Sequence, residues 1–135
     1  MDLVKALKIS AAGMHAQGVR VRVIAENVAN ANSLADRPGG DPYRRKIVTF
    51  KNVLDRTLGV EKVTVKRVTV DKSPFGRRFD PTHPAADAEG YVKTPNVNSL
   101  IEMMDLRQAE HSYEANLKAL RLAKTMIQRT IELLR

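Results

Sequence analysis

The chain has 135 residues with a formal net charge of +8, 43% hydrophobic residues and 28% charged ones. It contains no Cys or Trp and only three Tyr and three Phe, which excludes disulfides and thiolate metal sites and argues against a core built on large rings. No run approaches the roughly 18 to 20 apolar residues of a membrane span, and the opening MDLVKALKIS carries charge inside its apolar pattern, so a cleaved signal peptide is not expected.

Residues 3 to about 30 read as a helix, with Asp2 as its N-cap. Leu7, Met14, Val21 and Val28 recur every seven residues, and Leu3, Ser10, Gln17 and Ile24 form a companion series. This is a heptad-like seam with small and polar members. Gly13 and Gly18 weaken a helix but would admit a close neighbour. The closing asparagines Asn27, Asn30 and Asn32 suit left-handed caps and turns.

Residues 33–98 differ in character. Arg37-Pro38-Gly39-Gly40-Asp41-Pro42 is loop chemistry. Tyr43 to Phe50 and Val60 to Val70 are rich in β-branched residues and predict strands, the second with a phase slip at Lys66-Arg67 that predicts a bulge or break. Residues 73–90 hold three Pro and two Gly and predict little regular structure, leaving short hairpins and an extended loop. This middle region carries thirteen basic and eight acidic side chains and so contributes most of the net charge.

The last helix is predicted from Ser99 to the end, with Ser99 and Glu102 as a capping box. Leu106, Tyr113, Leu120, Ile127 and Leu134 fall at seven-residue intervals, widened by Leu117 and Ile131, with Ala109, Asn116, Ala123 and Thr130 as companions. A seven-residue repeat presents a narrow apolar face to a partner helix. The fold class is therefore mainly α with a small β insert: a terminal-helix assembly domain at residues 1–32 and 99–135, forming a coiled-coil-like pair, and a β-rich, extended middle at 33–98. One thin seam between two helices is marginal against chain entropy, so the pattern points to assembly with neighbouring copies.

Nothing in the chain predicts catalysis. His15, His83 and His111 are isolated, no acid–base pair is fixed by spacing, and Gly39-Gly40 lacks the lysine of a phosphate loop. No cofactor, metal or small-molecule substrate is expected. The cluster Arg44-Arg45-Lys46, with Lys66-Arg67, Arg77-Arg78 and nearby Tyr43, Phe50, Phe75 and Phe79, would serve nucleic-acid binding. That reading ranks below protein assembly because acidic residues are interspersed. A self-contained two-helix adaptor is the other alternative.

Four blocks carry a resemblance from end to end: ISAAGMHAQGVRVRVIAENVANANS (9–33), GGDPYRRKIVTF (39–50), GYVKTPNVNSLIEMMDL (90–106) and SYEANLKALRLAKTM (112–126). Together they resemble the flagellar basal-body rod family, and most closely its short proximal members. The resemblance implies a non-enzymatic subunit of the periplasmic drive shaft, exported through the flagellar type III apparatus. It also implies that the terminal helices pack against other copies and adjoining rod subunits. The assembly interface would then comprise Leu3, Leu7, Met14, Val21, Ile24, Asn27, Val28, Asn30 and Asn32 on the first helix and its exit. On the last helix it would comprise Leu106, Tyr113, Leu117, Leu120, Ile127, Ile131 and Leu134. Residues 51–89 resemble the family only loosely.

Overall fold

The computed structural model describes residues 2–135. In chain order the elements are α1 (Leu3–Ala29), β1 (Lys46–Asp55), β2 (Val60–Val70), β3 (Gly76–Phe79), β4 (Tyr91–Thr94) and α2 (Ser99–Leu133). Two long helices thus flank two hairpins, β1–β2 and β3–β4. At ~1.5 Å per residue the 35 residues of α2 extend roughly 52 Å. Among the described residues no helix is long and apolar enough to cross a membrane.

Local chemistry sets the element ends. Asp2 Oδ1 accepts from the Val4 amide at 2.9 Å and starts α1. At its far end the Asn30 side chain donates to the Glu26 carbonyl at 2.9 Å and accepts from the Ser33 hydroxyl at 3.0 Å. Left-handed asparagine caps are not used: among the described residues only glycines have positive φ. The expected capping box on α2 is also replaced. Asn98 Oδ1 receives the Leu100 and Ile101 amides at 3.1 and 3.4 Å, while Glu102 turns inward, where Arg45 and Asn27 hold its carboxylate.

The chain divides into two compact units. The first comprises residues up to Val21, Val48–Arg67 and Arg107–Arg135. Its helical segments run antiparallel: Gly13 lies against the Asn116 side chain, and Arg20 donates to Gln108 Oε1 at 3.2 Å. The turn of its hairpin is built on Asp55, whose carbonyl accepts from Gly59 at 2.8 Å and whose carboxylate accepts from Thr57, Leu58 and Lys62. Gly59 closes this turn at φ 65°, a conformation that favours glycine. The Lys62 ammonium and the turn amides hold the Asp55 carboxyl below its ordinary range.

The second unit comprises Arg22–Ile47 and Val68–Leu106. Its β3–β4 hairpin is antiparallel, pairing Gly76 with Thr94, Arg77 with Lys93, Arg78 with Val92 and Phe79 with Tyr91. Strand β3 and its pairing with β4 supply a short hairpin of the kind expected in this region. Gly90 permits it: at φ 85°, any Cβ there would meet the Phe79 ring at 2.9 Å. The predicted first strand begins at Lys46 rather than Tyr43 and runs on to Asp55, and β2 continues through the phase slip without a break.

A buried polar junction and exposed helix faces as the candidate functional site

The second unit contains a polar junction with Asn27 and Glu102 at its centre, each only 1% exposed. The Asn27 amide is fully used. Its Nδ2 donates to the Lys46 carbonyl (2.9 Å) and to Glu102 Oε2 (3.1 Å), and its Oδ1 accepts from the Lys46 amide and the Tyr43 hydroxyl, both at 2.9 Å. Two bonds to one backbone residue let a helix side chain fix the start of β1. Asn27 is therefore a junction residue within α1, a role that reading it as a helix terminator missed.

Glu102 Oε1 accepts a short hydrogen bond from Arg45 Nε. The same guanidinium reaches Asp71 at 3.5 Å and Asp105 at 3.8 Å. Burial opposes the Arg45 charge, but Glu102 and then Asp71 outweigh it and raise its pKa above the ordinary arginine value. The Ser73 amide and hydroxyl, followed by Arg45, hold the Asp71 carboxyl below the usual carboxylate range. Burial, the largest influence, pushes the Tyr43 phenol up.

Asn96 completes the junction. Its Oδ1 accepts from the Arg45 amide at 2.8 Å, and its Nδ2 donates to the Asp71 and Ser73 carbonyls at 3.1 and 3.2 Å. Arg44 donates to the same two carbonyls and lies 4.1 Å over the Phe75 ring. The Tyr-Arg-Arg-Lys block is thus spent on internal contacts: Arg44 and Arg45 as described, Lys46 on Glu26 at 3.1 Å. Of the basic cluster weighed for nucleic acid, these three residues make internal contacts, whereas Lys66, Arg67, Arg77 and Arg78 are exposed.

Of the predicted interface residues, Ile24 and Asn27 are buried. Leu3, Leu7, Met14, Val21, Val28, Asn30, Leu106, Leu117, Leu120 and Ile127 are half-buried, and Asn32, Tyr113, Ile131 and Leu134 are exposed. The most buried positions of α2 are Glu102, Ala109 and Ala123, the last two from the companion series noted in the sequence, with Asn116 half-buried between them. On α1 they include Ser10, Ala16, Val23 and Ile24. The alanines among them suit close helix approach, whereas Glu102 is buried within the polar junction.

Other apolar residues stay uncovered. Leu100, Ile101, Met103 and Met104 are 69, 51, 58 and 66% exposed in the first turns of α2. Leu122, Met126, Ile131, Leu133 and Leu134 are exposed toward its C-terminus. Four large apolar side chains within five residues, all facing solvent, exceed the scattered exposure of ordinary surfaces. The run Leu-Ile-Glu-Met-Met was the available signal, and the heptad reading passed over it. Among the described residues no group of three His, Cys, Asp or Glu could hold a metal ion.

Large apolar side chains left uncovered on a helix mark interaction surfaces. Residues 88–133 match the family described as flagellar basal body rod FlgEFG protein C-terminal. The chain is 51% identical over 130 residues to flagellar basal-body rod protein FlgC of Agrobacterium fabrum, covering 96% of this chain and 94% of that one. It is 39% identical over 132 residues to FlgC of Aquifex aeolicus (98% and 97% covered). To FlgC of Salmonella typhimurium it is 37% identical over 133 residues (98% of each). The class is that of structural, non-enzymatic proteins of the flagellar basal body. Within that class, the chain belongs to the flagellar basal-body rod protein FlgC family.

Proposed function

We propose that this chain is a structural subunit of the flagellar rod that polymerises through its terminal helices, with other copies and adjoining rod subunits as neighbours. The observation that carries the reading is the exposed apolar surface of α2, from Leu100 to Met104 and again from Leu122 to Leu133. Covering such side chains is favourable by roughly 1.5–3 kcal/mol each when burial is complete, enough for a few of them to drive association. The predicted interface residues Leu3, Leu7, Met14, Val21, Leu106, Leu117, Leu120 and Ile127 keep part of their surface open and belong to the same proposal. In this reading residues 1–32 and 99–135 are the assembling part and 33–98 the β-rich part. Delivery by the flagellar export apparatus rests on family membership.

The test is a Leu100→Asp/Met104→Asp double variant. Both positions are exposed, so the isolated protein keeps its helix content and denaturation midpoint. Cells carrying the variant are expected to lack complete basal bodies and to be non-motile. Motile cells with intact basal bodies would overturn the proposal.

A further inference from the structure

The first unit contains a groove of about 540 Å³ lined by Gly18 and Val21 of α1 and by Glu110, Tyr113, Glu114 and Leu117 of α2. Its lining sets Gly18, Val21, Tyr113 and Leu117 beside two carboxylates. Glu110 and Glu114 are four residues apart on one helix face, about 6 Å between Cβ atoms, and both are exposed. Gly18 has no explanation inside the chain. A Cβ at Gly13 would meet Asn116 at 2.8 Å, whereas one at Gly18 would meet nothing within 4 Å. A mid-helix glycine costs up to about 1 kcal/mol relative to Ala, and here it leaves the groove floor open.

The second unit carries a surface of complementary character. On β3, Arg77 and Phe79 lie two residues apart on one face, about 7 Å along the strand. Phe79 is 63% exposed, stacked edge-on against Tyr91 with ring centroids 5.3 Å apart. Arg77 is exposed, and its cross-strand neighbour is Lys93. An aromatic ring beside a guanidinium complements a partly apolar groove that carries two carboxylates.

We infer that the β3–β4 hairpin of one copy docks in the α1–α2 groove of a second, Phe79 on the floor left by Gly18 and Arg77 between Glu110 and Glu114. The two surfaces differ, so the contact is head-to-tail and can propagate. This inference rests on the rod reading and supplies one specific contact within it.

Because the chain has no cysteine, the only disulfides that can form are between introduced ones, and heterodimers are counted apart from homodimers. Full-length Lys93→Cys and His111→Cys proteins, substituted at exposed positions beside Arg77 and beside the glutamate pair, are mixed at high concentration and oxidised in air. A disulfide between copies needs Cα atoms within about 7 Å. The expected result is a cross-linked heterodimer at least about tenfold above a Val53→Cys/His111→Cys control, a margin matching one close charge pair. Arg77→Glu should remove that excess, and adding Glu110→Lys and Glu114→Lys to the partner should restore it. Equal yields in the two pairings, or no restoration by the charge reversal, would overturn the inference. Should the Leu100→Asp/Met104→Asp variant still block basal-body assembly in that case, the rod reading stands and only this contact falls.

Discussion

Arg45 donates through Nε to Oε1 of Glu102, a carboxylate only 1% exposed on the first turn of α2, although 57 residues separate the pair in sequence. Removing one partner strands the other. Arg45→Met leaves Glu102 with Asn27 as its remaining partner and is expected to cost about 3–5 kcal/mol in denaturant unfolding. Replacing both, as Arg45→Met/Glu102→Leu, removes the buried charge altogether and should cost less than Arg45→Met alone. A double variant showing the simple sum of the single losses would mean the two side chains do not act as a pair.

The start of α2 offers a sharper contrast. Asn98 receives the Leu100 and Ile101 amides, while the Glu102 carboxylate is turned inward to Arg45 and Asn27. Asn98→Ala should therefore destabilise by about 1 kcal/mol, the usual value of an N-cap. Ser99→Ala should be near neutral. Urea midpoints for the two variants decide between this cap and a capping box, which predicts the reverse order.

This pair of residues also shows what local pattern conveys. Helix limits near Leu3 and Ser99 were legible because caps and seven-residue spacing are properties of short sequence windows. The depth of burial within each helix was not. Glu102, Ala109 and Ala123 lie deepest on α2 while Leu122 is 60% exposed: close helix approach favours alanine, and Glu102 is drawn in by Arg45 and Asn27. The junction was invisible for another reason: Asn27, Arg45, Asp71 and Glu102 come from four separate segments, and nothing local to Glu102 distinguishes an inward carboxylate from a capping one. The Pro and Gly content of residues 73–90 signalled turns and short hairpins without marking the limits of β3, whose order depends on pairing with Tyr91–Thr94.

The two glycines of α1 separate folding from assembly. Gly18→Ala meets nothing within 4 Å, so it should stabilise the isolated chain by up to about 1 kcal/mol through helix propensity. It should also weaken assembly, by raising the floor of the groove proposed for Phe79. Gly13→Ala must displace the Asn116 side chain, which donates to the Ser112 carbonyl at 3.0 Å. Its propensity gain is offset, and it should be the less stable of the two variants. Thermal unfolding orders them, and cross-link yield measures the second effect.

Asp71 makes the junction sensitive to acid. The Ser73 amide and hydroxyl, then Arg45, depress its carboxyl pKa in the folded chain. A depressed carboxyl contributes stability that is complete above its unfolded value, near pH 4. That contribution is lost as pH falls through the folded value. Asp55 and Asp80 are depressed in the same direction, by Lys62 and by Thr82 with Arg78 respectively, so acid weakens both hairpins as well. Stability should accordingly be level around neutrality and decline below about pH 4. Asp71→Asn should be less stable than the parent at pH 7 and should show a shallower decline on acidification. Denaturant unfolding at pH 7, 5 and 3 reads this directly, since parallel curves for variant and parent would remove Asp71 from the acid response.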